Sequence, residues 1–263
     1  MEIAKLRKKR GLSSENARII RQRGHNDALE FAMAIGLTHD YKNDLKAKKD
    51  VIDRSGDGHS VKSGEKKWQI FLYGLTRFEE DVGFIINGIR DFLIECIKAF
   101  PSTFQQYQQD KNSAKQRLRI PMVNLATKLQ DHMLLKAFLD KSIFNSGEVD
   151  YLTVKHKDLF HVFYYKDVLA VMCGELEVCN SRAISSGQVP EQKVLLRYEG
   201  INLGELEMRN DSPDHYRQVR FNMIIPKVML LLFEKIPITK KYSKRVWVYG
   251  NAGKRFGRWR QKT

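Results

Sequence analysis

The spacing of apolar residues in the first half of the chain predicts helices. Residues 26–36 have capping residues at their start and a glycine at their end, which predicts a short buried helix with Glu30 as its only interior charge. Apolar residues recur at helical spacing over 81–100, and a proline follows, so a second helix is expected there. A third helical region is predicted at 122–144. Residues 102–119, rich in glutamine and lysine, form either a loop or an exposed helix.

Beyond Gly147 the pattern changes to short runs of β-branched and aromatic residues, which is typical of strands. The predicted strands are 159–165, 168–172, 175–178, 193–198, 204–209 and 216–224. Residues 240–263 predict a further strand followed by a basic arm with interleaved aromatic side chains. We therefore expect an α+β fold, with a helix-rich part at 1–147 and a β-rich part at 148–263 that form one compact unit.

The most informative short segment runs from Asp50 to Lys62. Two strand-like runs flank a cluster of turn-forming residues, which predicts a β-hairpin. If the tip centres on Gly56, Asp50 faces Lys62 across the hairpin and Ile52 faces Ser60. The period of two then places Asp50, Ser60 and Lys62 on one face.

A carboxylate beside a lysine at the open end of a hairpin suits metal-assisted hydrolysis of a phosphodiester. Asp50 can hold Mg²⁺ through hard oxygen, and Lys62 can orient or deprotonate water and stabilise the pentavalent phosphate. The alternative is an ordinary surface salt bridge between the two side chains. The same alternation makes Asp53 a turn residue on the opposite face and points His59 away from Lys62.

These residues resemble the PD-(D/E)xK nuclease superfamily, which includes most type II restriction endonucleases. The resemblance covers roughly 24–80: Asp50 is followed after eleven residues by Lys62, and the preceding helix carries Glu30. It implies a restriction-endonuclease-like mixed central sheet flanked by helices. It also implies that Asp50, Glu30 and Val61 bind a divalent metal, and that Asp50, Lys62, Ser60 and Glu30 form the catalytic set.

The chain departs from the superfamily pattern at two positions. Ser60 stands where an acidic residue is usual, and Lys49 precedes Asp50 where proline is usual. The missing carboxylate must then come from Glu30 upstream, or from Glu79 or Glu80 downstream. Glu30 is favoured, because a lone carboxylate in an apolar helix is costly to bury unless it is paired or bound to metal.

The charge of the chain favours a polyanionic partner. Lys and Arg number 46 against 31 Asp and Glu, a formal charge of +15, so nucleic acid is the first candidate. The three cysteines show no CxxC pairing, which argues against disulfides and structural zinc and favours a reducing cytoplasm. Residues 1–10 are positive but no apolar leader follows, and no run approaches bilayer length, so we expect no membrane partner.

Three segments carry candidate DNA contacts. Alternation after Gly204 places Glu205, Glu207 and Arg209 on one face, a mixed-charge surface suited to base edges, with its apolar residues facing the core. Trp68, after the hairpin, is expected to be a buried anchor. The candidate DNA contacts are Lys66, Lys67, Arg209, Asn210, His215, Arg217, Arg220, Lys254, Arg255 and Arg258.

Together these features predict a sequence-specific type II restriction endonuclease that cuts double-stranded DNA with Mg²⁺, for which Mn²⁺ can substitute. The family resemblance implies a homodimer, since cutting both strands of a palindrome suits a two-fold assembly. The alternatives are a structure-selective or defence nuclease of the same fold, a nucleic-acid-binding protein without catalysis, and a protein that acts on RNA.

Overall fold

The strand-like runs of this chain form two β-sheets, and the runs with helical spacing form helices that pack against them. The computed structural model describes residues 14–86, 88–183 and 185–261. The α-helices are α1 (Ser14–Ala34), α2 (Leu75–Glu80), α3 (Ile89–Lys98), α4 (Phe104–Gln109), α5 (Lys111–Leu129), α6 (His132–Phe144), α7 (Tyr165–Glu175), α8 (Ile225–Lys235) and α9 (Ala252–Arg255). The strands are β1 (Val51–Ile52), β2 (Gly58–Lys62), β3 (Lys67–Tyr73), β4 (Tyr151–His156), β5 (Leu159–Tyr164), β6 (Glu177–Asn180), β7 (Lys193–Tyr198), β8 (Ile201–Arg209), β9 (Gln218–Ile224), β10 (Ile238–Lys241) and β11 (Val246–Tyr249). The predicted α+β class is confirmed.

The first sheet is mixed and has the order β1-β2-β4-β5-β11-β10. β2 pairs in parallel with β4, and β5 pairs in parallel with β11, while the other neighbours are antiparallel. The second sheet, β3-β9-β8-β7-β6, is antiparallel throughout. Both sheets contain strands from either side of residue 147, so the helix-rich and β-rich parts of the sequence share each sheet.

The helices lie where their apolar faces can be buried. In α5, Leu118, Met122, Leu125 and Leu129 follow helical spacing and are all buried, and the Asp110 side chain caps the helix by accepting from the Ser113 amide. Helices α3, α5 and α6 pack against the second sheet, whereas α1 and α7 pack against the first. The sequence allows either a loop or an exposed helix over 102–119, and the structure has α4 and the first part of α5 there.

Several predicted boundaries are wrong, each for a local reason. The run 168–172 was expected to be a strand but lies in α7, because a short buried apolar run fits either a strand or a helix. The predicted helix at 81–100 is a 3-10 turn, Val82–Phe84, followed by α3. The region 122–144 is divided between α5 and α6, and Asp131 caps the second. Strands β5 and β7 match their predictions closely.

The other differences concern where the predicted helices and strands begin and end. The predicted helix at 26–36 is the end of the longer α1, and the strand expected at 175–178 begins at Glu177. The strand expected at 204–209 begins earlier, at Ile201, and the one at 216–224 begins at Gln218. β3 and β4 were not predicted.

The predicted C-terminal arm is folded onto the first sheet over its described length. Phe256 is buried, and its ring lies 4.9 Å from Tyr242 and 5.5 Å from His59, measured between centroids. Trp259 packs on Phe256 at 5.3 Å. Aromatic packing thus fixes the strand-and-arm region around β10, β11 and α9, while residues 262–263 lie outside the described part.

None of the helices within the described ranges has the length and apolarity required to span a membrane. The positive segment at 1–10, for which no leader was predicted, lies outside the described residues.

Replacement of Phe256 by Ala should lower the free energy of unfolding by about 3–5 kcal/mol, because a fully buried aromatic ring leaves a cavity. Urea denaturation of the two proteins measures the difference. The exposed neighbour Lys254→Ala is the control and should change stability by less than about 0.5 kcal/mol. A loss below about 1 kcal/mol for Phe256→Ala would show that the arm contributes little to the fold.

Candidate active site

The β1–β2 hairpin is present, but its register differs from the predicted one. Val51 pairs with His59 and Ile52 with Gly58, so Asp50 faces Ser60 and not Lys62. The prediction was wrong by two residues because the turn is centred one residue earlier than Gly56. A shift of two keeps every side chain on its original face, and Asp50, Ser60 and Lys62 do share one face of the hairpin.

Asp53 sets the position of the turn. Its Oδ1 accepts hydrogen bonds from the backbone amides of Ser55, at 2.7 Å, and Asp57, at 3.1 Å. Its Oδ2 lies 3.3 Å from Nε2 of His59, which is fully buried. The expectation that Asp53 is a turn residue is confirmed, and His59 lies on the core side, away from Lys62.

Asp50 and Lys62 form the expected pair at the open end of the hairpin. Nζ of Lys62 is 3.7 Å from Oδ2 of Asp50, and the Val61 amide donates to the same oxygen at 2.8 Å. About a quarter of each side chain is exposed, 26% for Lys62 and 27% for Asp50. The amide fixes the orientation of the carboxylate, and solvent or a substrate can still reach both groups. The contact shown for Val61 is with Asp50.

Ser60 occupies the position that is usually acidic in the superfamily. Its side chain is fully buried, and Oγ has no hydrogen-bond partner among the described residues. An unsatisfied buried hydroxyl costs about 1–3 kcal/mol. Ser60 thus leaves an unused polar atom on the same face as Asp50 and Lys62.

A group of cations that the sequence does not reveal lies near Lys62. Lys48, just before β1, donates from Nζ to the backbone carbonyl of Ser142 on α6. Burial, together with the charges of Lys62, Lys141 and Arg77, lowers the pKa of Lys48 to about 8. These residues come from three parts of the chain, namely the hairpin segment, α2 and α6, so only the folded structure brings them together.

Asp81 is the inward carboxylate of this cluster. It caps the 3-10 turn by accepting from the Gly83 amide at 3.0 Å, and it pairs with Lys141 at 3.0 Å and Arg77 at 3.2 Å. The two downstream candidates, Glu79 and Glu80, are exposed on α2. An Asp at the start of a short turn is a capping signal that would have drawn attention to Asp81.

Glu30 has other partners than the hairpin. Its carboxylate pairs with Lys155 at 2.5 Å and with Arg245, and Lys155 also pairs with Asp27 at 2.7 Å. Burial raises the pKa of Glu30, but the hydrogen bonds from the two cations outweigh it and the pKa is lowered. No hydrogen bond or ion pair joins Glu30 to Asp50 or Lys62 in the described structure. The sequence argument for a metal at Glu30 is that a buried carboxylate requires a partner. Lys155 and Arg245 are those partners, so this argument no longer supports a metal ion at Glu30.

The candidate DNA contacts fall into two groups. Several are already engaged within the protein. Lys67 pairs with Glu205, Arg220 with Glu207 and Arg209 with Asp211, Arg217 donates to the Ile97 carbonyl, and Arg255 lies over the Tyr164 ring. Lys66, His215, Lys254 and Arg258 are exposed, and Asn210 is partly exposed. Trp68 is buried, as predicted.

The donor set determines what kind of metal site is feasible. Over 14–86, 88–183 and 185–261, no group of three or more His, Cys, Asp or Glu residues is arranged to hold a metal ion. The oxygens of Asp81 are engaged by Lys141, Arg77 and Gly83, whereas Asp50 is partly exposed beside the unsatisfied Ser60. Mg²⁺ commonly binds one or two carboxylates together with waters and substrate phosphates. Asp50 is therefore the carboxylate of the hairpin face that would hold such an ion, with water and a substrate phosphate supplying the other oxygens.

The depressed pKa of Lys48 makes stability depend on pH in a defined direction. Between pH 8 and pH 10 the unfolded chain keeps the Lys48 proton that the folded protein releases, so the free energy of unfolding should rise with pH. The full shift corresponds to about 3 kcal/mol. Urea denaturation across this range should show a shallower rise for Lys48→Met than for the wild type. The same slope in Lys48→Met would contradict the assignment, and the exposed Lys46→Met serves as control.

The chain has no significant match among models of known protein families or among curated proteins. The likeness to PD-(D/E)xK nucleases therefore depends on the hairpin residues and on Glu30 of the preceding helix, and membership of the superfamily stays a prediction.

Proposed function

We propose that this protein is a Mg²⁺-dependent endonuclease that cuts double-stranded DNA at the face of the β1–β2 hairpin. The observation that carries the proposal is the partly exposed pair formed by Asp50 and Lys62, in which the Val61 amide holds the carboxylate and the buried Lys48 lies close enough to Lys62 for their charges to interact. An isolated surface salt bridge is the alternative, and the buried Lys48, whose charge acts on Lys62, is the feature that such a pair lacks.

The charge of the site favours a phosphodiester. Lys62 pairs with Asp50, and Lys141 and Arg77 pair with Asp81; together with Lys48 these groups carry an excess of two positive charges when Lys48 is protonated. Phosphoryl transfer accumulates negative charge on the oxygens around phosphorus, and fixed cations stabilise that charge more in the transition state than in the ground state. The cluster therefore supports both binding of the phosphate and its hydrolysis.

The hairpin residues divide the chemistry between them. Lys62 orients the attacking water and stabilises charge on the phosphoryl oxygens, while Asp50 holds the cation in position. When bound, Mg²⁺ supplies Lewis-acid chemistry at the phosphate, and Mn²⁺ can substitute for it. Water forms a bond to phosphorus and loses a proton to solvent, the ester bond opposite it breaks, and the leaving oxygen takes up a proton from solvent. The hydroxyl of Ser60 is fully buried behind this face, so it is given no role in the chemistry.

Recognition of a short sequence by a homodimer is the finer part of the proposal. Two hairpins related by a two-fold axis would cut the two strands of a palindromic site. A cytoplasmic location fits the three cysteines, which are all unpaired thiols.

Digestion of a plasmid of known sequence tests the proposal directly. With Mg²⁺ the wild-type protein should give discrete fragments, and both Lys62→Ala and Asp50→Asn should lower the cleavage rate by about 100-fold or more. Lys227→Ala, an exposed lysine on α8, is the matched control and should cut normally. Each variant is also tested for DNA binding, so that loss of cutting is separated from loss of folding.

Other outcomes identify the alternatives. A smear in place of fragments would indicate a nuclease without sequence preference. Intact plasmid in the presence of Mg²⁺ and Mn²⁺, despite tight binding, would favour a binding protein in which Ser60 marks a lost site. Preferential binding of duplex RNA at the same salt concentration would move the substrate to RNA.

Metal binding should require DNA, because Asp50 is the exposed carboxylate of a cationic site. Calorimetric titration of Mg²⁺ into Lys62→Ala protein bound to a plasmid fragment should give a saturable signal. Titration into the free protein should give no such signal, and the additional change Asp50→Asn should abolish it in the complex. Tight binding of Mg²⁺ to the free protein would contradict a site completed by the phosphate.

A further inference from the structure

The second sheet carries a polar face at its outer edge. β3 is the edge strand of this sheet as described, and β9 is its neighbour. Gln69 of β3 lies opposite Asn222 of β9, which lies opposite Glu205 of β8. In the next row, Arg220 of β9 lies opposite Glu207. Alternation points all of these side chains away from the helices that cover the other face.

Two carboxylates of this face hold three cations in fixed positions. Glu205 accepts from Lys67 at 2.5 Å and from Lys193 at 2.9 Å. Glu207 pairs with Lys193 at 2.5 Å and with Arg220, whose Nε lies 3.0 Å away. Burial raises the pKa of Glu205, but the hydrogen bonds from the two lysines outweigh it and the pKa is lowered, so the carboxylate stays charged.

The exposure of these residues differs with their place in the network. The side chains of Glu205 and Glu207 are 8% and 12% exposed, whereas that of Lys67 is 47% exposed. Gln69 is exposed and Arg220 is partly exposed. The buried carboxylates thus belong to β8, whereas the side chains that a partner can reach belong to β3 and β9.

We propose that Lys67, Gln69 and Arg220 contact base edges in the major groove of the DNA, and that Glu205 and Glu207 position two of these three side chains. The proposal rests on the proposed function for the nature of the partner. A pair of strands fits the major groove, whose width is about 12 Å. Gln pairs with adenine, and Arg or Lys pairs with guanine. A guanidinium has five N–H donors, so the contact with Glu207 leaves donors for a base.

The balance of charge favours bases over the phosphate backbone as the target of this face. Lys67, Lys193 and Arg220 carry three positive charges and are countered by two carboxylates. Cations without carboxylate partners bind the DNA phosphates most strongly. Hydrogen-bond donors that are held in fixed orientations beside acceptors are better suited to base edges. An acidic protein partner would also bind best to cations without carboxylate partners, so the paired cations of this face argue against it as well.

The chain connects this face to the hairpin directly. β2 ends at Lys62 and β3 begins at Lys67, so the first contact residue lies five positions along the chain from the proposed catalytic lysine, with four residues between them. That segment spans at most about 17 Å, which is about five base pairs of DNA at 3.4 Å each. The bases contacted by β3 should therefore lie within about half a helical turn of the cleaved phosphate.

Selection from a pool of duplexes with a randomised central segment tests the proposal without requiring cleavage. All proteins carry Lys62→Ala, so the pool is bound but not cut. The parent should enrich one sequence. Adding Gln69→Ala should weaken the preference for adenine at one position by about tenfold, and adding Arg220→Lys should weaken the preference for guanine at another. Glu207→Gln should affect the same position as Arg220→Lys, because it removes the partner that positions the guanidinium.

The controls separate base contacts from structural effects. Gln108→Ala, the same change at an exposed glutamine of α4, should leave the enriched sequence unaltered. The thermal midpoint of each variant is compared with that of the parent, and Arg220→Lys retains the charge, so the salt dependence of binding should not change.

Three results would overturn the proposal: an enriched sequence that is the same in all variants, an equal loss of affinity for every sequence, or no enrichment by the parent. Because the selection measures binding and the plasmid digestion measures cutting, the two proposals fail separately. A wild-type protein that selects one sequence through Gln69 and Arg220 but never cuts would disprove the nuclease and leave this surface in place.

Discussion

The parallel pairing of β2 with β4 is the constraint on which both proposed sites depend. Asp150, just before β4, accepts from the Gly58 amide at 2.8 Å through its side chain and donates to the Gly58 carbonyl at 2.9 Å through its backbone. His59 stacks on Tyr151 of β4 at 4.7 Å and contacts the Thr153 hydroxyl at 2.9 Å. With the His59 face buried against β4 and α1, the alternate residues of β2 must point toward the site. The same strand then leads into β3, so its position also fixes the edge of the second sheet.

Charge compensation is organised differently in the two sheets. At the hairpin, cations outnumber the carboxylates and one lysine is buried deeply enough for its pKa to fall to about 8. On the second sheet the carboxylates are buried under the cations, and each Glu accepts from two of them. The first arrangement leaves uncompensated positive charge for a phosphate, and the second leaves oriented donors. A single basic protein can thus provide one surface for chemistry and another for discrimination.

The sequence predicts those features that depend on short-range periodicity. The face shared by Asp50 and Lys62 was predicted correctly although the register was not, because a shift of two residues preserves the side of every residue. The register itself depends on which amides the Asp53 side chain accepts, and pattern alone does not specify this. The strand at 168–172 was misassigned because a short apolar run fits both periods. The argument about Glu30 had a sound premise, the need for a partner, but its partners come from β4 and from Arg245, far away in sequence.

The residues of the cation cluster acquire most of their partners from segments distant in the chain. Arg77 and Asp81 pair across four residues, but Lys48 and Lys141 come close to them only after α2, α6 and the hairpin have packed together. Since Lys62 pairs with Asp50 and Lys48 lies near Lys62, a divalent ion at the proposed site would gain most when a phosphate brings additional negative charge with it. In the proposed nuclease, metal binding and substrate binding would therefore be coupled electrostatically. A nuclease built in this way would hold its cofactor tightly only when DNA lies across the hairpin, so that recognition by the second sheet would precede assembly of the cutting site.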